Sequence, residues 1–177
     1  MSTPDEAKYP VGRFQRPAGY TPESRYAAIQ VLAELPRELR TMVEPLDPKQ
    51  WEQRYRAGGW TIREVTHHIA DSHLNAYCRI KMALTETNPP IVAYDEALWA
   101  KLPDTAATPP AVSLQLIDAL HQRWTTLLRQ IPESDFNRCY SHPEQGLISL
   151  DACLALYAWH CRHHAGHIRQ AIAQPAA

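Results

Sequence analysis

The chain has 177 residues, 45% of them apolar and 21% charged, with a formal charge of -1 when its nine histidines are counted as neutral. It is long enough to bury a proper hydrophobic core as one domain, 1–177. It lacks the clustered Lys/Arg excess that phosphate binding demands, and no apolar run approaches the roughly 20 residues of a membrane span, so neither a nucleic acid nor a membrane is an expected partner. Residues 1–6 have neither the basic start nor the apolar middle of a signal peptide, so the expected location is the cytoplasm. Cys78, Cys139, Cys153 and Cys161 are scattered without a Cys-x-x-Cys pair and are expected to be free thiols there.

Residues 1–20, with Pro4, Pro10, Pro17, Gly12 and Gly19, read as an extended N-terminal strap. Thr21-Pro22-Glu23 then has the chemistry of a helix start: a capping hydroxyl, a proline for the first position and an acid for the dipole. Tyr26, Ile29 and Ala33 begin an apolar stripe that Leu35, Leu39, Met42 and Val43 continue, and Pro36 is expected to kink or split the helix between them. Pro45 and Pro48 end it, and residues 51–59 connect.

Thr61-Ile62-Arg63-Glu64 is a capping box, and Ile62, Val65, Ile69, Ala76, Ile80 and Ala83 recur at helical spacing behind it. On this second helix His68 borders the stripe, His73 lies inside it as a core histidine, and His67 points away. Residues 85–111 are rich in proline and too long for a plain connection; Tyr94, Leu98 and Trp99 anchor them, so an ordered loop lying over a site mouth is expected, with a short helix at 95–99. Ser113 is expected to open the third helix, with Leu114, Ile117, Leu120, Trp124, Leu127 and Leu128 in register. His121 beside that stripe reads as structural, and 134–148, including a lone His142, as a connector. Ser149 caps the fourth helix, whose buried face runs through Leu150, Leu154, Tyr157, Cys161, His164, Ile168 and Ala171. No strand-like alternation of useful length appears, so the expected fold is an all-α four-helix bundle.

The fourth helix concentrates chemistry. It holds four histidines in eight residues: His160, His163, His164 and His167. Two histidines at i and i+4 project from one face with Cβ atoms about 5–6 Å apart, so His160 and His164 can share an ion. If His68 faces them, three neutral imidazoles converge and leave a fourth coordination position open, the pattern of a catalytic rather than a structural zinc site. Zinc is the default among divalent ions; nickel, iron, copper and manganese also fit.

Several motifs occur in one order along the chain: Tyr9-Pro10-Val11-Gly12, Gly58-Gly59-Trp60-Thr61-Ile62-Arg63-Glu64-Val65, His67-His68-Ile69-Ala70-Asp71-Ser72-His73, Tyr94-Asp95-Glu96, His121-x-Arg123-Trp124 and Tyr157-x-Trp159-His160-x-x-His163-His164-x-x-His167-Ile168. From about Tyr9 to Gln170 the chain resembles the YfiT branch of the DinB superfamily. The resemblance implies a DinB-type four-helix bundle with one divalent metal held by three histidines, carried onto His68, His160 and His164, and it implies a homodimer. Where the wider superfamily follows its last ligand with an Arg-Gly-Gln-like run, this chain has Ala165-Gly166-His167, which leaves the ligands intact, makes the substrate end less transferable, and makes His167 a catalytic candidate that would act from behind the ligands.

Two chemistries follow from the resemblance. Relatives are described as metal-dependent hydrolases, and the branch also resembles transferases that join a low-molecular-weight thiol such as bacillithiol to a small electrophile. The helical metalloprotease motif H-E-x-x-H is absent. Asp71, three residues after His68, could orient that ring or act as a base, and Arg79 and Arg162 could grip the carboxylates of a thiol cofactor. The preferred expectation is a metal-dependent S-transferase. Its alternatives are a hydrolase in which water takes the open position, and a non-catalytic bundle that metal merely stabilises.

Overall fold

A computed structural model describes residues 7–174. Four long helices carry the fold: α1 (Pro22–Val43), α2 (Ile62–Thr85), α5 (Pro110–Gln130) and α6 (Leu150–Ile172). Two short ones, α3 (Glu96–Trp99) and α4 (Pro103–Ala107), interrupt the long loop before α5, and a hairpin of β1 (Cys139–His142) and β2 (Gly146–Ser149) precedes α6. Among the described residues no helix is long and apolar enough to cross a membrane.

The helix starts follow their sequence chemistry. Thr21 Oγ1 accepts from the Ser24 N–H at 3.2 Å while Ser24 Oγ accepts from the Thr21 N–H at 2.9 Å. Thr61 and Glu64 exchange the same pair of bonds at 3.1 and 2.7 Å, and Ser149 caps α6 through the Ala152 N–H. Each helix then buries one face. Leu32, Leu35 and Leu39 of α1 meet Ile62, Ile69 and Ile80 of α2, Ile117 of α5 and Leu154 of α6 in one continuous core. Helix α1 packs against α5 and α6, and so does α2, which sets α1 and α2 at diagonal corners although they are consecutive in the chain.

Pro36 does not split α1, which runs unbroken for 22 residues. Its ring has no N–H to give the carbonyl of Leu32 one turn back. The Nδ1–H of His121 on α5 takes that carbonyl instead, at 2.6 Å. Neighbouring packing keeps the helix continuous and a side chain from another helix replaces the missing donor.

Helix α5 begins at Pro110 rather than Ser113. Ser113 faces inward, with its hydroxyl 2.7 Å from His67 Nδ1. His67, expected to point out, is buried because α4 and the start of α5 cover that side of α2. The expected connector over 134–148 also contains more than turns. Its β1–β2 ladder pairs Tyr140 with Ile148, and Gly146 sits at φ +70°, a left-handed conformation that glycine adopts without strain. Those two are the buried hydrophobic residues of the hairpin, too few for alternation to register. The loop before α3 is ordered, as expected, because Ile91 N–H donates to the Ser141 carbonyl and Ser141 N–H to that of Pro89.

Residues 7–20 of the expected strap lie across α6, while residues 1–6 and the expectation of no signal peptide there fall outside the described residues. Trp159 Nε1–H donates to the Gly12 carbonyl at 3.0 Å, Phe14 packs on Trp159, and Pro10 rests on Gly166. Cys153 and Cys161 are buried, Cys139 is half-buried and Cys78 is exposed, all as free thiols.

Candidate metal centre

His160 and His164 stand one turn apart on α6, and α2 presents His68 to them. One ring nitrogen from each lies within 4.8 Å of the other two. The Nε2 atoms of His68 and His160 are 3.3 Å apart. An ion 2.0–2.1 Å from each imidazole nitrogen in tetrahedral geometry needs nitrogens roughly 3.4 Å apart, so this pair has the spacing of two corners of such a site. Burial pushes the His68 ring down to about 4 and those of His160 and His164 well below the ordinary histidine value, so all three are neutral and have lone pairs to offer.

A second trio, His163, His164 and His167, is comparably close. Hydrogen bonding decides which group His164 serves. His167 Nε2 lies 3.1 Å from the carbonyl of Lys8 and must donate to it, which leaves Nδ1 of that neutral ring as an acceptor. His164 Nδ1, 3.4 Å away, is therefore the donor, which leaves its Nε2 bare and free to serve the trio with His68 and His160. His167, the candidate to act from behind the ligands, sits against His164, stacked 3.8 Å from the ring of Tyr55, and lines the same cavity.

His160 and His164 of the trio line a cavity of about 530 Å³. Lys8 and Tyr9 of the strap line one side, the hairpin residues Tyr140, His142 and Ile148 another, and Trp60 stands in the wall against His68 at a ring distance of 4.7 Å. Ser72, one turn after His68, places its hydroxyl 3.5 Å from His160 Nε2 and 3.3 Å from the hydroxyl of Tyr157. Tyr157 donates to the Ser72 backbone carbonyl at 3.2 Å, and burial raises its pKa so that it stays protonated. Arg79 also lines the cavity, donating to the Val92 carbonyl, with Glu96 as the one carboxylate among the described lining residues.

The structure does not bring the other two candidates here. Arg162 lines a separate groove on the far side of α6, with Phe14, Tyr20 and Arg25. Asp71 is half-buried outside the cavity, its carboxyl pushed up by burial and by the charge of Asp104. A turn of 100° per residue explains the miss: Ser72 and Arg79 share the side of His68, whereas Asp71 lies off it. Sequence reasoning passed over Ser72, Tyr157 and the hairpin wall; the i+4 spacing of Ser72 from His68 was the available signal, and for the hairpin there was none.

Residues 31–168 match the model of the DinB superfamily. A protein of Bacillus mycoides named "Putative metal-dependent hydrolase" is 45% identical over 163 residues, covering 92% of this chain and 94% of the relative. A Bacillus cereus protein of the same description is 45% identical over 164 residues, covering 93% and 94%. The solved structure of YfiT from Bacillus subtilis, described as a probable metal-dependent hydrolase with an unusual four-helix bundle topology, superposes with a TM-score of 0.89 at 42% identity, covering 93% of this chain and 94% of its own. By the family match over residues 31–168, and by fold and sequence similarity over most of its length, the chain belongs to the DinB superfamily.

Proposed function

We propose that this chain is a metal-dependent S-transferase, in which His68, His160 and His164 hold one divalent cation, by default zinc, and a low-molecular-weight thiol attacks a small electrophile beside it. The cation, when bound, supplies Lewis acidity that makes a thiol or a water a nucleophile at neutral pH. The chain's own residues do the rest. His164 and His160 offer lone pairs from one helix and His68 from another, so the acceptor set is rigid. Ser72 is placed to orient the nucleophile, since Tyr157 has committed its own proton to the backbone. Arg79, Arg56 and Lys8 around the cavity can hold an anionic part of the thiol. The new S–C bond forms as the leaving group departs with its electron pair, and the thiol proton passes to solvent. Low-molecular-weight thiols are kept reduced in the cytoplasm, where we place the reaction.

The observation that carries this reading is what stands next to the trio. The Ser72 hydroxyl, not a carboxylate, lies 3.5 Å from His160 Nε2, and the carboxylate among the described lining residues, Glu96, is beside Arg79 instead. Hydrolysis gains from a general base near the water, whereas a thiol made acidic by a cation needs none. The second reading, hydrolysis, is favoured by the names of the relatives. Two measurements test the proposal. Elemental analysis should find one divalent metal per chain in the wild type and far less in His68→Ala, His160→Ala and His164→Ala; a full equivalent retained by any of them removes that residue from the site. A chlorinated aromatic electrophile supplied with several cellular thiols should consume free thiol only with metal-loaded protein. Ester or amide cleavage without thiol consumption would establish the hydrolase instead.

A further inference from the structure

Behind the centre lie two buried histidines, His73 and His121, and a proline that the proposed chemistry leaves unused. We infer that Leu32, His121 and His73 form a tautomer relay that presents the Nε2 of His160 as a bare lone pair, which makes His73 and His121 positioning residues for a metal ligand. The inference rests on the reading of His68, His160 and His164 as the metal site.

The relay starts at a carbonyl. Pro36 cannot donate to Leu32 O, so that oxygen is free to accept from another helix. His121 Nδ1 is 2.6 Å from it. A carbonyl cannot donate, so the proton of His121 sits on Nδ1; a bare Nδ1 there would set lone pair against lone pair inside the core. The Nε2 of this neutral ring is then an acceptor. At 2.7 Å it faces His73 Nδ1, which must carry a proton. His73 Nε2 is in turn an acceptor, 3.0 Å from His160 Nδ1, so His160 also carries its proton on Nδ1. Each step follows from the one before, and the last leaves His160 Nε2 unprotonated, 3.3 Å from His68 Nε2. Packing holds the middle ring still: Trp124 and Tyr157 meet His73 edge-on at 5.7 and 5.3 Å. His73 and His121 are completely buried or nearly so, at 0% and 1% exposure, so water cannot substitute for a missing partner.

The same contacts could serve the core alone, and the two roles separate by experiment. In metal-free, full-length protein labelled with ¹⁵N at histidine, two-bond proton–nitrogen spectra should show His121, His73 and His160 all protonated at Nδ1. A His160 protonated at Nε2 overturns the relay whether or not any variant folds. His121→Leu removes the acceptor for His73, and its zinc affinity by chelator competition should fall about 10–100-fold, the usual cost of losing a group that orients a ligand. His121→Gln can both accept from His73 and donate to Leu32, and should recover most of that loss. Folded His121→Leu protein that binds zinc as tightly as the wild type overturns the proposal. A wild type that takes up no zinc sinks the metal site itself, and the metal-free spectrum then decides the relay alone.

Discussion

At Gly166 the absence of a side chain decides whether the strap can lie on α6. A Cβ there would meet Pro10 Cγ at 2.8 Å and Cβ at 2.9 Å, both in a stiff ring. Alanine in a helix interior is favoured over glycine by roughly 0.5–1 kcal/mol, yet the overlap should cost about 1–3 kcal/mol. Gly166→Ala is therefore expected to lower the urea midpoint and to lift the strap, exposing residues 8–12 to protease. A more stable variant with an intact strap would show that the contact is slack. Residue by residue, His160 and His164 were legible because i,i+4 spacing and a shared face are properties of one helix, and His68 because it borders the apolar stripe of its own. His73 and His121 were legible only as core residues: their role depends on a carbonyl three partners away, and no spacing within one helix encodes it. Asp71 attracted attention for its chemistry while its angle on the helix turned it from the cavity.

Among the elements, α1 and α6 are tied at their first turns by Arg25 and Asp151, whose side chains meet at 2.7 and 2.8 Å. Asp151 is 4% exposed and Arg25 14%, the acid buried and the guanidinium at the edge of the groove that also holds Arg162. Asp151→Ala should destabilise the fold by about 1.5–3 kcal/mol, because it removes two charge-assisted hydrogen bonds from a part-buried guanidinium. Replacing both residues with leucine should restore much of that stability, and chemical denaturation of the single and double variants checks both statements. The helices themselves were readable from capping boxes and apolar periodicity, which act locally. Three features were not. Pro36 stays inside α1 because His121 supplies what the proline lacks. Ser113 spends its hydroxyl on His67 rather than on a cap. The hairpin is held by its ladder and by the long loop, a pairing between segments some fifty residues apart that no local pattern announces.

For the molecule as a whole, the buried histidines set the response to acid. Burial pushes His68, His121 and His167 down to about 4, His163 to about 3, and His73, His160 and His164 well below their ordinary value. In the unfolded chain these rings take up protons near pH 6.5. The native state therefore binds fewer protons, so its stability is fully present above about 6.5 and is lost as pH falls toward 4. Each such ring contributes at most about 1.4 kcal/mol per pH unit. Urea midpoints of metal-free protein should be flat above neutrality and drop steeply across that window; a flat profile down to pH 4 would mean the rings are charged in the native state.

The diagonal arrangement of α1 and α2 makes α2 and α6 neighbours, so His68 and His160, 92 positions apart, become partners across a helix seam. A cation gripped there is a removable rivet between the two halves of the polypeptide. By mass action, a free concentration a hundred times the dissociation constant would add about 2.7 kcal/mol to the native state. The lifetime of the protein against degradation would then track the supply of that ion, and starvation for it would remove the catalyst as well as idle it.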